Sequence, residues 1–344
     1  MHLLRLLAAP LAPLYGAAVV LRNRAFDRHP ERRQRVPVPV LSLGNLSTGG
    51  TGKTPVTLHL AQALEAAGWR PGVISRGYGG RRPVDPMTVT PDGDPAQTGD
   101  EPLMMARRLG PDRVVVGRSR HAAALRALGL EPSPDLLLMD DGFQHRALHR
   151  DLDLLLLDGV RRWGNGRMLP LGDLREPAAG AAPASALVVT RGSRAPRAEI
   201  LDWWQRFGSG GPVFWLDFAI GSLRPLGGGA ALALPGQAPG PLFAFCALGH
   251  PEAFLADLLV AGAPWVGSHA FRDHQALGLA QLRRLAAEAR AAEAVGLVCT
   301  EKDAVKLDPG LTLDLPVWVA EQRVLGAEPL VEWVNQRLGA PAQR

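Results

Sequence analysis

The sequence predicts an α/β protein, a doubly wound and mostly parallel sheet followed by a second, smaller α/β domain. Three observations predict it. Apolar runs of strand length alternate with longer, helix-length segments from residue 38 onward. A Gly-rich turn ending in Lys-Thr joins the first run to the first helix. The alternation breaks at a Gly- and Pro-rich stretch, 221–241, and then starts again.

In chain order, Pro39, Val40, Leu41 and Leu43 mark a buried strand over 38–43, and a helix is expected over 53–67. A strand over 72–75, a helix over 101–109, a strand over 113–117 and a helix over 118–128 follow. The strands 136–139, 152–157 and 186–190 complete the first unit. Residues 221–241 read as a connection. Beyond them come a strand over 242–247, helices over 251–259 and 276–291, and strands over 295–299 and 317–320. An amphipathic helix over 329–338 ends the chain and could pack back on the first unit. The expected division is an N-terminal segment 1–35, a first domain 36–215, a smaller domain 216–325 and a C-terminal helix 326–344.

Composition supports folded cores: 47% of the 344 residues are hydrophobic, and no disordered or fibrous signature is present. The net charge of +5 is written almost wholly in arginine, 35 Arg against the three lysines Lys53, Lys302 and Lys306. A compact ammonium differs from a planar guanidinium, so retaining Lys at position 53 supports a role there. Arginine usage also accounts for the basic balance, and no nucleic-acid recognition motif is visible. Cys246 and Cys299 match no metal-ligand spacing and read as buried reduced thiols.

Residues 6–21 are uncharged and mostly apolar, flanked by Arg5 and by Arg22, Arg24, Arg28, Arg32, Arg33 and Arg35. The run falls short of the ~20 residues of a spanning helix, and Pro10 and Pro13 interrupt it. The heavy positive charge after it disfavours a cleaved export signal. The preferred reading is a segment lying in a membrane interface with its arginines on anionic headgroups. A helix packed on the protein's own core is the alternative.

The strongest motif is Ser47-Thr48-Gly49-Gly50-Thr51-Gly52-Lys53-Thr54. It is a P-loop with Ser47 in place of the first glycine, set between a strand and a helix as the motif requires. Backbone N–H groups of such a turn cradle phosphates, Lys53 reaches the β- and γ-phosphates, and the Thr54 hydroxyl suits Mg²⁺. Asp140 and Asp141 emerge from the apolar run 136–139, where an acid is needed to organise the metal. The fold expectation is therefore P-loop NTPase-like, with ATP and Mg²⁺. Thr300-Glu301-Lys302-Asp303 is not a guanine-recognition motif, because Lys stands directly beside Asp.

Further blocks narrow the reading. They are Gly44-Asn45-Leu46, Ser75-Arg76-Gly77-Tyr78-Gly79-Gly80, Gly99-Asp100-Glu101-Pro102, and Asp140-Asp141-Gly142-Phe143-Gln144-His145. Gly164-Asn165-Gly166-Arg167-Met168-Leu169-Pro170, Leu174-Arg175-Glu176-Pro177, Phe271-Arg272-Asp273-His274 and Thr300-Glu301-Lys302-Asp303-Ala304-Val305-Lys306 follow. In this order they resemble the tetraacyldisaccharide 4'-kinase family over roughly residues 1–340. The resemblance implies transfer of the ATP γ-phosphate to the 4'-hydroxyl of a tetraacylated glucosamine disaccharide 1-phosphate, with Mg²⁺. It implies lipid A biosynthesis at the cytosolic face of the Gram-negative inner membrane, a peripheral or monotopic attachment, and a cleft between two α/β domains. No obligate protein partner is expected.

Residue by residue, the resemblance gives Asp100 as catalytic base and His274 as its partner. Lys53 and Thr54 fall at the phosphate and metal positions, Asp140 and Asp141 at the acidic strand end, and Glu176 at a further acid near the metal. Arg76, Tyr78, Gln144, His145 and Arg175 fall in blocks lining the cleft. Taken alone, several of these have plainer readings: Asp100 as a helix cap, His274 as an ordinary histidine, Glu176 as a loop acid bound to Arg175, Tyr78 as packing. Gln275 follows His274 where relatives often carry a second His, and Asp173 adds a charge in the loop before Arg175. Two rival functions remain: a kinase of a soluble small molecule, and a nucleotide-switched membrane-binding or metal-delivery protein, although Thr48 stands where the metal-chaperone variant of the P-loop opens with Lys.

Overall fold

The structure, a computed structural model, describes residues 11–248, 251–272, 275 and 277–341. The N-terminal helix α1 (Leu11–Arg28) precedes an eight-stranded sheet. That sheet comprises β1 (Val40–Gly44), β2 (Pro71–Ser75), β3 (Met87–Val89), β4 (Val114–Val116), β5 (Leu136–Asp140), β6 (Leu152–Asp158), β7 (Ala186–Thr190) and β8 (Val213–Trp215). Its order is β3-β4-β2-β5-β1-β6-β7-β8. Only β3 runs antiparallel to its neighbour; the other pairings are parallel. Helices α2 (Lys53–Ala66), α3 (Asp100–Leu109), α4 (Arg120–Leu128) and α5 (Arg197–Phe207) connect these strands.

β1 and β5 are buried along their whole length, because parallel strands covered on both faces need continuous apolar runs. They lie side by side, with Leu43 opposite Asp140. The turn after β1 and the acids after β5 therefore leave the sheet together at its carboxyl edge.

The second sheet has six strands in the order β10-β9-β14-β13-β11-β12. They are β9 (Asp217–Pro225), β10 (Leu232–Ala233), β11 (Leu242–Cys246), β12 (Trp265–Ala270), β13 (Gly296–Thr300) and β14 (Val317–Leu325), with helices α6 (Pro251–Val260), α7 (Leu279–Ala291) and α8 (Glu301–Ala304). The stretch 221–241, expected to be a connection, is partly strand: β9 pairs antiparallel with β14 from Asp217↔Leu325 to Pro225↔Trp318. Glycine hid it, yet the glycine has a reason. A Cβ on Gly221 would come within 2.9 Å of the Arg323 side chain that crosses it. The short β3, β8 and β12 and helix α5 also lay outside the expected elements. The helix expected from 276 begins at Leu279.

Helix α9 (Glu328–Leu338) turns back to the first sheet. Leu330 and Val334 are fully buried in one cluster with Val56, Leu60 and Leu64 of α2, and Trp69 Nε1 donates to Asn335 Oδ1 at 2.8 Å. Cys246 and Cys299 are free and buried, and burial pushes the Cys246 thiol up to about 11.

Candidate active site

The P-loop follows β1. Gly49 and Gly52 hold φ of 102° and 77°, a left-handed backbone suited to glycine. Neither site has room for a side chain, since a Cβ on Gly49 would meet the Arg161 guanidinium and one on Gly52 the Phe218 ring. The entry to the loop is braced by 173–175: Thr48 N donates to Asp173 O (2.7 Å) and Arg175 N to Leu46 O (2.7 Å). Thr190 Oγ1 donates to Thr51 O at 3.0 Å. Ser47, Thr51 and Thr54 are buried and Gly50 is exposed.

Lys53 and Thr54 open α2 and face the end of β5. Lys53 Nζ donates to Asn45 Oδ1 (3.1 Å) and lies 3.4 Å from Asp141 Oδ1. Arg175 reaches the same Asp141 carboxylate at 3.2 Å, and Gln144 Nε2 donates to Asn45 O at 2.7 Å. Burial opposes charge on Asp141, but Lys53 and Arg175 outweigh it and hold the carboxyl below its usual range. Asp141 takes a left-handed φ of 51°, which turns the chain out of β5. Arg175 is thus spent on Asp141 and not on its neighbour Glu176.

Asp140 is buried and makes no ion pair as close as that of Asp141, although the charge of Lys53 reaches it. Thr57 Oγ1 donates to its Oδ1 at 3.1 Å. Burial, then the nearby Glu101, push its carboxyl up to about 7. Glu101 in turn accepts from Thr54 Oγ1 at 3.3 Å. Thr54, Glu101 and Asp140 therefore form an oxygen-rich group with too little positive charge of its own. Glu101 escaped the sequence reading, although the signal was present in its position beside Asp100 in the Gly-Asp-Glu-Pro block. Among the described residues no group of three or more His, Cys, Asp or Glu could hold a metal unaided. That suits Mg²⁺, which takes one or two carboxylates and completes its shell with water and phosphate oxygens.

Glu176 requires a correction. It is fully buried, and its partners belong to the N-terminal helix and to Arg146: Arg22 at 3.2 Å, Asn23 Nδ2 donating at 2.8 Å, and Arg146 at 3.9 Å. Both oxygens are occupied by protein donors, which tie Glu176 to α1.

Asp100 is the first residue of α3, and its Oδ2 lies 3.5 Å from Lys306 Nζ of the second domain. His274 lies outside the described residues. Tyr78 is 82% exposed, which excludes packing as its role. Its backbone abuts Gly99, just ahead of Asp100. Arg76 is exposed, whereas Arg120, missed in the sequence, is buried and donates to Gly117 O at 2.9 Å. Nothing in the local pattern Arg118-Ser119-Arg120 distinguishes it. Burial, then Arg120, Arg150 and Arg76, bring the His145 imidazole down to about 4. A neutral imidazole among guanidinium groups is a setting for an anion.

Helix α1 packs its Val19 and Asn23 inward, and Tyr15 Oη donates to Arg175 O at 3.1 Å. Its other face presents Leu14, Ala17, Ala18 and Leu21 to solvent. Among the described residues no helix is long and apolar enough to cross a membrane.

Comparison with known proteins agrees with this geometry. The family model for tetraacyldisaccharide-1-P 4'-kinase matches residues 4–339. A tetraacyldisaccharide 4'-kinase of Chromobacterium violaceum is 38% identical over 96% of this chain and 93% of its own. One from Xanthomonas euvesicatoria is 42% identical over 87% of this chain and 83% of its own. The crystal structure of LpxK from Aquifex aeolicus in complex with ATP superposes with a TM-score of 0.74 at 28% identity, covering 98% of this chain and 100% of that one. The sheet order, the P-loop facing the acidic strand end and the match along nearly the whole chain lead to one conclusion: this protein belongs to the tetraacyldisaccharide 4'-kinase family.

Proposed function

We propose that the protein transfers the γ-phosphoryl group of ATP to the 4'-hydroxyl of a tetraacylated glucosamine disaccharide 1-phosphate. The observation that carries this reading is the start of α3. There Asp100 and Glu101 are consecutive, so the base and the metal-facing acid are set by one helical turn against the P-loop. The phosphate donor and the attacking hydroxyl are thereby brought to one place.

The P-loop amides and Lys53 hold the phosphates, Lys53 exchanging Asp141 for the incoming nucleotide. Thr54, Asp140 and Glu101 would hold Mg²⁺. Bound there, the ion would supply positive charge that offsets the charge on the transferring phosphoryl group. The Asp100 carboxylate accepts the proton of the 4'-hydroxyl as the O4'–Pγ bond forms. The bond from Pγ to the β–γ bridging oxygen breaks, and ADP departs with the electron pair. His274 is assigned beside Asp100 by family likeness. Arg76, Arg120 and the neutral His145 offer charge-assisted hydrogen bonds to the acceptor's 1-phosphate, and the exposed Tyr78 is free to contact the acceptor.

The exposed stripe Leu14, Ala17, Ala18 and Leu21, continued by Arg24 and Arg28, suits a helix lying in an anionic interface. The stripe supports a peripheral or monotopic attachment, and family likeness assigns it to the cytosolic face of the bacterial inner membrane.

The test is transfer of label from γ-³²P-ATP to the tetraacyldisaccharide 1-phosphate in detergent, with Asp100→Ala as control. Labelled lipid from the wild type and almost none from the variant is the expected result. ATP hydrolysis without labelled lipid would dismiss the acceptor.

A further inference from the structure

We infer that Lys306 of the second domain is a positioning residue for Asp100, holding the base through an Asp100–Lys306–Asp303 chain that spans the two domains. The inference rests on the reading of Asp100 as the base.

The geometry is specific. Lys306 Nζ lies 3.5 Å from Asp100 Oδ2 and 3.1 Å from Asp303 Oδ1, and the three side chains are 6%, 14% and 1% exposed. Asp303 is itself fixed. Its Oδ2 accepts from Ala247 N at 3.0 Å and from Thr300 Oγ1 at 2.8 Å. The backbone ties the group together, since Lys306 N donates to Asp303 O at 3.1 Å. The far end of α3 leans on the same segment: Arg108 pairs with Glu301 at 2.7 Å and Arg107 donates to Ala304 O at 3.3 Å. The helix that opens with Asp100 is therefore gripped by the second domain at both ends.

The charge arrangement suits a base. A buried ammonium with one partner would be stranded whenever that partner took up a proton, and a stranded buried charge is costly. Asp303 gives Lys306 a permanent counter-charge. Asp100 can accept the hydroxyl proton while Lys306 remains paired, so the carboxylate is oriented without its protonation orphaning a cation. A compact ammonium sits between the two carboxylates, and Lys306 is one of three lysines in a chain that otherwise uses arginine.

The test compares Lys306→Met and Lys306→Gln with wild type in the lipid kinase assay, alone and combined with Asp100→Asn. The melting temperature and ATP affinity of each variant are measured to establish folding. We expect kcat to fall about tenfold or more while KM for ATP stays within about twofold, with partial rescue by Lys306→Arg. In the Asp100→Asn background Lys306→Met should have no further effect, because a residue that acts through Asp100 has nothing left to position. Wild-type kcat in both Lys306 variants, or an equal loss with and without Asp100, would overturn the inference while the base reading stands. Wild-type kcat in Asp100→Asn would remove the base reading, and the inference with it.

Discussion

Two buried carboxylate clusters flank the P-loop, and they differ in who neutralises them. Around Glu176 the protein supplies its own donors, with Arg22, Asn23 and Arg146 satisfying both oxygens. Around Asp140 it supplies less, the Thr57 hydroxyl and the charge of Lys53. Burial, and then the charge of Glu101, push Asp140 up to about 7 against the opposing charge of Lys53. A satisfied acid is structural material, and an under-satisfied one awaits a cation. Sequence likeness gave both acids the same role, whereas their partners separate them.

The largest expected effect is at the P-loop lysine. Lys53→Ala should reduce kcat by about a hundred- to a thousandfold, since it removes a preorganised charge at the transferring phosphate. A radiolabel transfer assay at saturating ATP measures this, and a loss confined to KM would contradict it.

The comparison itself is tested by paired amides. Glu101→Gln should raise the Mg²⁺ needed for half-maximal rate about tenfold. Glu176→Gln should leave the Mg²⁺ dependence where it was. Equal shifts in the two Mg²⁺ titrations would erase the distinction drawn between the clusters.

Glu176→Ala should instead cost about 3 kcal/mol of stability in urea unfolding, because it leaves the buried Arg146 with only the half-exposed Asp27. The same variant should release α1 to limited proteolysis first. Unchanged cleavage of α1 would mean that Glu176 does not anchor it.

The smallest effect is at His145, which lies between the clusters. Its folded imidazole titrates at about 4 against an ordinary 6.5, through burial and then surrounding arginines. The unfolded chain therefore binds the proton first, and stability is lost as pH falls from about 6.5 toward 4. His145→Asn should flatten that slope in melting curves recorded across this range, and an identical slope would exclude His145 as the cause.

The central architecture was legible because parallel strands buried on both faces read as near-continuous apolar runs, as in β1, β5 and β7. The P-loop was legible because few residue combinations can place amides, an ammonium and a hydroxyl around phosphate. β9 was not, since its Gly221 serves the crossing of Arg323 and looks like linker composition in one dimension. Glu101 and Lys306 stood inside recognised blocks, but their roles depend on what faces them from another element. Thr54 gives Glu101 its meaning, and Asp100 gives Lys306 its own. Glu176 shows the converse, an acid in a recognised motif whose role follows from a helix more than 150 positions away in sequence.

On the proposed membrane placement, the apolar stripe on α1 has a kinetic consequence. An enzyme held flat on a bilayer meets its acceptor by lateral diffusion, so the concentration that governs its rate is molecules per unit area of membrane. Adding inert phospholipid at constant total acceptor would thin the acceptor across the surface and slow turnover. The cell could then set flux through this step by the composition of a membrane, with no change in the amount of enzyme or of substrate.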